Sequence, residues 1–432
     1  MKTTKAIYNS PLLGETYTKI QHKSGLTICI CTKELTTTYA FLAAKCGSLD
    51  RKARLFDGRV RSFPAGIAHY LEHKLFDNEN GEDSFATFSA LGADSNAFTS
   101  YTHTAYFFSA TQNQKKCLKE LLHFVTHPYF TKATVEKERG IIEEEIKMDR
   151  DLPWDRAFQN LLTGLYGRHP LSDEICGSAA SIATITHRKL YDFYRLFYTP
   201  SNMILSVAGP IEVKDVLSVV DRLLPSQPET TIPHRLLPRN SKTVAHERIE
   251  ETMQVAKPIF YLGFRDAKVS RDPLERLQRD AAASVLNEIL FSKSGDFYNT
   301  LFEENLLTPA FSGGYSIEDG FAFNSLSGES DAPDEVVARL FAYLEKMKRD
   351  GISEEDLERS RRVLYADEVR AYDSTEEIAL QMLSFAMDGL DPFLYPQLIR
   401  KVSKKEVERL LYELFCKESM SLSIIRPTKE RS

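Results

Sequence analysis

The two halves of this chain repeat one order of strands and helices, and this repeat constrains the fold more than any other sequence feature. In the first half, residues 104–110 are typical of a strand, an amphipathic helix follows, and a charged helix runs from residue 132 to about 148. In the second half, residues 319–325 are typical of a strand, a helix passes through residues 336–347, and a charged helix runs from residue 354 to about 369. A long pattern shared by both halves indicates a duplicated structural unit.

Length and composition agree with two domains of similar size. The chain has 432 residues, of which 42% are hydrophobic, so each half can bury a core of its own. A proline-rich polar stretch predicts a linker at residues 225–245, between a first domain at residues 1–224 and a second at residues 246–432. We expect an α+β fold with two homologous α/β sandwich domains, each a mainly antiparallel sheet with helices packed on it.

All ten histidines lie at or before His246, so chemistry that depends on histidine belongs to the first half. His69 and His73 are four residues apart in an apolar stretch without internal proline, residues 65–76, which predicts a helix with both imidazoles on one face. Two imidazoles placed in this way can bind one Zn²⁺. Glu72 lies beside them, where a general base that acts on a metal-activated water is needed. The alternative is a pair of surface histidines on an amphipathic helix.

A catalytic zinc site needs a third protein ligand, and an acidic helix at residues 138–148 offers candidates. Glu138 and Glu145 are seven residues apart and share a face, whereas Glu143 and Glu144 point elsewhere. An acidic run of this kind is ordinarily a solvated helix face, and composition by itself does not choose Glu145 over its neighbours.

Three segments, together with the duplication, resemble the pitrilysin/insulinase metallopeptidases, the inverzincins, in which the usual order of the zinc-binding motif is reversed. The segments are residues 66–76, 92–106 and 138–146. The resemblance is to the bacterial two-domain branch, which is related to the mitochondrial processing peptidase. It implies a catalytic zinc-binding domain at residues 1–224 and a homologous non-catalytic domain at residues 246–432.

By this resemblance, His69, His73 and Glu145 match the ligands of one Zn²⁺ per chain. Glu72 matches the general base of the reaction. Glu138 matches a second glutamate on the same helix face, which orients a ligand and so supports catalysis.

Residues 96–99 resemble the family's substrate-binding edge strand. We expect Asn96, Ala97 and Phe98 to bind an extended peptide through main-chain hydrogen bonds, and Asn96 to donate to a substrate carbonyl during catalysis. For Phe98, packing in the core is an equally good interpretation. Longer family members place a tyrosine from their second half over the active site, which makes Tyr315 a catalytic candidate, although the two glycines before it equally indicate a bulge or turn.

The second copy of the motif region keeps the apolar helix and lacks the metal ligands. Residues 286–291 align with residues 71–76. The positions of His69, Glu72 and His73 are then taken by Ser284, Asn287 and Glu288, respectively.

The resemblance implies a zinc metalloendopeptidase that hydrolyses peptides or unfolded segments within an enclosed chamber, with a zinc-activated water and a glutamate base. The alternative is a catalytically silent or maturation-partner subunit that binds peptides or a paralogous chain. In either case the resemblance implies a homodimer, or a heterodimer with a paralogous subunit.

Composition argues against several other classes of protein. The net charge of −6 and the pI near 6.0 predict no nucleic-acid partner, and the absence of a stretch of about 18 apolar residues predicts no membrane span. The N-terminus lacks the apolar segment of a secretory signal, and the six cysteines form no C-x-x-C pair. We therefore expect reduced thiols and a cytoplasmic location.

Overall fold

The computed structural model describes residues 2–55, 57–79, 81, 83–227, 232–238, 241 and 243–428. They form two compact units, each built from separate parts of the sequence. Unit 1 consists of Met1–Ile146, Glu174–Leu237 and Val369–Phe393. Unit 2 consists of Lys147–Asp173, Pro238–Glu368 and Leu394–Ser432.

Strands and helices are numbered in chain order. Among the described residues, the strands are β1 (Thr4–Ser10), β2 (Glu15–Gln21), β3 (Thr27–Thr32), β4 (Thr38–Ala44), β5 (Lys52–Arg54), β6 (Val60–Ser62), β7 (Ala93–Thr99), β8 (Thr104–Ala110), β9 (Met203–Gly209), β10 (His234–Arg235), β11 (Arg248–Met253), β12 (Ile259–Arg265), β13 (Ser312–Glu318), β14 (Phe321–Glu329) and β15 (Met420–Pro427). The α-helices are α1 (Ile67–Leu75), α2 (Ser84–Ala90), α3 (Gln114–Thr126), α4 (Lys132–Arg150), α5 (Pro153–Tyr166), α6 (Ala179–Ile182), α7 (His187–Phe197), α8 (Val213–Leu223), α9 (Pro273–Phe291), α10 (Asp296–Glu303), α11 (Pro333–Asp350), α12 (Glu354–Ala371), α13 (Thr375–Met387), α14 (Leu394–Lys401) and α15 (Lys404–Leu414).

The sheets confirm the predicted fold class and the duplication. Unit 1 has a sheet in the order β1-β2-β3-β9-β4-β8-β7, and unit 2 has one in the order β11-β15-β12-β14-β13. The last five strands of the first sheet and the five strands of the second follow the same order along the chain. In both, the first pair is parallel and the remaining pairs are antiparallel. The helix–sheet layering follows because each sheet needs its apolar faces covered.

One predicted strand boundary is wrong. The strand predicted at residues 319–325 is β14, which begins at Phe321 and continues to Glu329. Asp319 and Gly320 instead form the turn between β13 and β14. The predicted strand began too early because the turn has only two residues and the apolar residues of β14 follow it directly.

Each sheet is covered on one face by a helix from the other half of the sequence. In unit 1, α13 packs on β3, β4 and β9, whereas in unit 2, α5 packs on β11, β12 and β15. Ala379, Met382 and Leu383 of α13 are buried against the first sheet, and the Ser206 hydroxyl donates to the carbonyl oxygen of Ala379 at 2.7 Å. β9 is consequently buried on both faces, which explains its nearly continuous apolar sequence. The predicted linear division, at residues 1–224 and 246–432, does not include this exchange of helices.

The segment predicted as a linker is divided between the units, with the part up to Leu237 in unit 1 and the part from Pro238 in unit 2. Within residues 225–245, the short strand β10 pairs with β5 in a sheet of the order β10-β5-β6. The Arg235 guanidinium forms two hydrogen bonds with the Asp50 carboxylate. Of the prolines that suggested a linker, Pro228 lies outside the described residues.

A helix that crosses a lipid bilayer needs about 20 consecutive, mostly apolar residues. Across the described residues, no helix combines the length and the apolar character that a membrane crossing requires.

Candidate active site

Helix α1 carries both histidines, and its position is set by its neighbours. Gly66, just before the helix, has a φ of 84°, and a Cβ there would lie 2.4 Å from the carbonyl oxygen of Cys176, so only glycine fits. Tyr70 and Leu71 are fully buried, and the Tyr70 hydroxyl donates to the carbonyl oxygen of Val135 on α4. The opposite face of α1 therefore presents its polar side chains at a fixed distance from α4.

The structure brings His69, His73 and Glu145 together as a three-residue group, and among the described residues it is the only such group of potential metal ligands. The Nε2 atoms of His69 and His73 lie 3.5 Å from Oε1 and Oε2 of Glu145, respectively. These separations are long for hydrogen bonds. Ligands about 2.0–2.1 Å from a tetrahedral zinc are about 3.3 Å apart, which is close to the separations seen.

The bonding of the glutamate also fits a metal. Oε2 of Glu145 is buried and has no hydrogen-bond partner among the described residues. A buried carboxylate oxygen is ordinarily satisfied, so a carboxylate whose two oxygens each face an imidazole nitrogen, one of them without a hydrogen bond, is well suited to a cation. The neighbouring histidines, His69 first, lower the pKa of Glu145 although burial opposes them, so the carboxylate is ionised as a ligand must be. Glu144 is exposed and Glu143 is half-buried, and neither belongs to the group.

Glu138 holds the ring of His73. Its Oε1 lies 3.1 Å from His73 Nδ1, which leaves Nε2 of the same ring facing Glu145. Burial acts to lower the pKa of His73, but the hydrogen bond to Glu138 and the nearby carboxylates outweigh it and raise the pKa. For Glu138, burial acts to raise the pKa, but His73 and Lys74 outweigh it and lower the pKa. This arrangement is typical of a carboxylate that orients a metal-binding histidine.

Glu72 is a buried carboxylate beside His69 and His73. Its Oε2 accepts a hydrogen bond of 2.5 Å from the Thr99 hydroxyl, and among the described residues its Oε1 has no hydrogen bond. Burial raises the pKa of Glu72, although His69 and Thr99 act in the opposite direction. A carboxylate in this position with one free oxygen can accept a proton and return it.

The predicted substrate-binding residues lie on β7, an edge strand of the first sheet. Thr99 and Ala97 point to the face that carries α1, whereas Phe98 packs with Phe107 on the face covered by α13. A substrate contact from Phe98 would therefore use its main chain. Asn96 is exposed, and its side-chain oxygen accepts a hydrogen bond of 2.8 Å from the N–H of Ala97. The roles of these residues stay predictions.

Tyr315 lies in unit 2, on β13. Its hydroxyl donates to Oδ2 of Asp266 at 2.6 Å, and Arg279 contacts the same oxygen at 2.6 Å. Its catalytic role also stays a prediction.

The residues at the second copy of the motif form ordinary structural contacts. The Asn287 amide donates to the Asn324 side chain at 2.7 Å, and the Ser284 hydroxyl lies 3.3 Å from that of Tyr395. Burial, as the largest influence, raises the pKa of Glu288. This side of α9 thus keeps a polar network where α1 has its histidines.

Two residues that support the site were not assigned from the sequence. Thr99 hydrogen-bonds Glu72, and Lys74 is fully buried with its ammonium near Glu138 and Asp77. A lysine inside an otherwise apolar helix face was the one available signal for Lys74. Thr99 was placed in the predicted edge strand, but no sequence signal indicated its contact with Glu72, because that contact joins a strand to a helix 27 residues away.

Comparison with known families agrees with this geometry. Residues 63–179 match the family description "Insulinase (Peptidase family M16)", and residues 184–364 match "Peptidase M16 inactive domain". The "Uncharacterized zinc protease YmfH" of Bacillus subtilis (strain 168) is 32% identical over 419 residues, which cover 96% of this chain and 97% of the relative. This chain belongs to peptidase family M16. The resemblance to pitrilysin and insulinase is thereby confirmed.

Solved structures of similar proteins have the same fold. An M16-like peptidase from Alicyclobacillus acidocaldarius is 29% identical with a TM-score of 0.90, and the match covers 99% of each chain. A protease from Helicobacter pylori has a TM-score of 0.82 over 96% of this chain and 100% of its own. At 18% identity the second match shows the fold alone. The M16 relatives named zinc proteases, together with the His-His-Glu group, suggest zinc as the metal.

Proposed function

We propose that this M16 chain is a zinc-dependent endopeptidase that hydrolyses peptides or unfolded segments. The observation that carries the proposal is the convergence of His69, His73 and Glu145 beside the buried carboxylate of Glu72. A Zn²⁺ held by those three residues would polarise the scissile carbonyl and lower the pKa of water.

The residues around the metal group divide the remaining work. Glu72 accepts the proton of the attacking water at Oε1 and returns it to the nitrogen of the leaving amine when the C–N bond breaks. The Thr99 hydroxyl donates a hydrogen bond to Oε2 of Glu72, which fixes the orientation of the carboxylate and therefore the direction of its free oxygen, Oε1. Glu138 keeps the imidazole of His73 oriented, supported by the cation of Lys74.

The peptide is proposed to bind along the free edge of β7. An edge strand offers unpaired main-chain groups to an extended chain, which favours unfolded segments over folded proteins. Asn96, Ala97 and Phe98 would provide these groups, and the Asn96 amide would donate to a substrate carbonyl. Enclosure of the peptide in a chamber, pairing with a second copy or a paralogous chain, and a cytoplasmic location are further parts of the proposal, supported by the family resemblance.

The Glu72→Gln variant tests the proposed base. The amide keeps the shape and the Thr99 hydrogen bond but does not accept the proton, so we expect full zinc content with turnover lower by about 10²- to 10⁴-fold. Zinc is measured by elemental analysis and turnover with a pool of quenched-fluorescence peptides. Unchanged turnover in the variant would remove Glu72 from the mechanism. Zinc in the unmodified protein without turnover of any peptide would favour the silent-subunit alternative.

A further inference from the structure

We propose that Arg235, in the segment that joins the two halves of the chain, is a positioning residue for Glu72 and acts through Asp50 and Thr99. The inference rests on the proposed function, in which Glu72 is the base. It assigns a role to a segment that composition describes only as a linker.

Thr99 is the residue that contacts the base. Its hydroxyl donates to Oε2 of Glu72 at 2.5 Å and lies 3.4 Å from the hydroxyl of Thr104. The Thr104 hydroxyl donates to the carbonyl oxygen of Cys46 at 3.0 Å. Each hydroxyl has one proton, so the proton of Thr99 is committed to Glu72 and that of Thr104 to the loop beginning at Cys46. The position of Thr99 therefore sets the position of the carboxylate.

The turn after Thr99 rests on that loop. Residues 100–103 connect β7 to β8 and contact residues 46–50, where the N–H of Ser48 donates to the carbonyl oxygen of Ser100 at 3.0 Å. A Cβ at Gly47 would lie 2.4 Å from the same oxygen, so the two backbones touch with no space for a side chain. A shift of the loop consequently moves the turn, and with it the end of β7.

Asp50 and Arg235 lock the loop in place. Asp50 is only 3% exposed, and its Oδ2 accepts from the N–H of Gly47 at 2.8 Å. Nε and Nη2 of Arg235 donate to the two Asp50 oxygens at 2.8 and 2.7 Å, and Nη2 also donates to the carbonyl oxygen of Thr102 at 3.2 Å. A buried bidentate pair fixes direction as well as distance. Arg235 thus contacts both the loop and the turn that holds Thr99.

A change in this contact is expected to affect rate more than binding of metal or peptide. Neither Arg235 nor Asp50 belongs to the group of metal ligands or to β7. Misplacement of a reacting group by about 1 Å lowers rate by about 10²-fold. We therefore expect loss of the Arg235 contact to lower kcat while the zinc content and KM stay unchanged.

The test compares Arg235→Gln with Arg59→Gln. The control removes the Arg59–Asp57 ion pair, with an Nε–Oδ2 distance of 2.6 Å, from the exposed turn of the same small sheet. For Arg235→Gln we expect kcat lower by about 10- to 100-fold, unchanged KM and zinc content, and faster hydrogen exchange of amides at residues 100–103. The control should match the unmodified protein in all four measurements. A fall in thermal stability without a fall in kcat would overturn the inference.

A double-mutant cycle decides whether Arg235 acts through Thr99. In a Thr99→Val background, Arg235→Gln should lower kcat by less than about twofold, because the route to Glu72 is already broken, whereas Thr99→Ser should preserve the full effect. Two losses that multiply independently would overturn the inference. If Arg235→Gln does not fold, Asp50→Asn and Arg235→Lys provide the same comparison.

Failure of the proposed function is distinguishable from failure of this inference. A wild-type protein without peptidase turnover contradicts the function. The exchange of amides at residues 100–103 still decides whether Arg235 holds the turn, and unchanged exchange in Arg235→Gln overturns the inference.

Discussion

Because the two halves of the chain exchange helices, we predict that a mutation late in the sequence destabilises unit 1, which contains His69, His73 and Glu145. Leu383 on α13 is fully buried against the first sheet, although it lies within residues 246–432. Leu383→Ala removes buried methyl groups and leaves a cavity, which costs about 2–5 kcal/mol. Since about 1.4 kcal/mol corresponds to a factor of ten, unit 1 should open about 30-fold to several thousand-fold more often.

Hydrogen exchange resolves this effect locally, which a single melting temperature would not do for a chain with two units. Amides of β4 and β9 in unit 1 should exchange faster in Leu383→Ala, while those of β12 in unit 2 keep their protection. Leu410→Ala is the matched control, since Leu410 on α15 is equally buried in the core of unit 2. It should loosen β12 and leave β4 and β9 unchanged.

The reasoning would be refuted if Leu383→Ala and Leu410→Ala accelerated the same strands, or if Leu383→Ala affected only unit 2. The first result would mean that the two units do not open separately, and the second that α13 does not stabilise the first sheet. The predicted result would also imply that residues 1–224 by themselves form unit 1 incompletely, because that fragment lacks α13.

Two further predictions concern the proposed third ligand, Glu145, and the carboxyl of Asp280, a half-buried residue of unit 2. Glu145→Gln should lose zinc, because a neutral amide replaces the ionised ligand. The control variants Glu143→Gln and Glu144→Gln should retain zinc. Loss of zinc in Glu144→Gln with retention in Glu145→Gln would contradict the assignment. Burial raises the pKa of Asp280 to about 6, although the Tyr395 hydroxyl, which donates to it at 2.6 Å, opposes this. A raised pKa means that the folded state binds the proton more tightly than the unfolded state, so this carboxyl lowers stability as pH rises through about 4 to 6. Asp280→Asn should therefore increase the unfolding free energy at pH 7.5 by about 1–3 kcal/mol, and the increase should become smaller towards pH 4. Urea denaturation at both pH values measures this difference. An equal change in unfolding free energy at both pH values would contradict the raised pKa of Asp280.

The spacing of residues along the sequence was sufficient to predict which side chains of the site share a helix face. His69 and His73 share a helix face because four residues make about one helical turn, and α1 has the bounds that this spacing predicts to within two residues. The same periodicity predicted that Glu138 and Glu145 share a face of α4. The order of elements in each half likewise predicted two related sheets, since it depends on short stretches of chain.

Contacts between groups far apart in the sequence depend on how the helices and strands pack. It placed Glu145, rather than Glu144, opposite the histidines, because that choice depends on how α4 is rotated against α1. It paired Thr99 with Glu72 and Arg235 with Asp50, contacts that span 27 and 185 residues.

The exchange of α5 and α13 has the same origin. The sequence of an amphipathic helix shows which of its faces is apolar, but not which sheet that face covers. Both sheets of this protein have an apolar face that such a helix could cover. Local sequence patterns therefore predicted the helices, the strands and the two histidines one helical turn apart, whereas packing between side chains far apart in the chain set the partners of Glu72 and the composition of each unit.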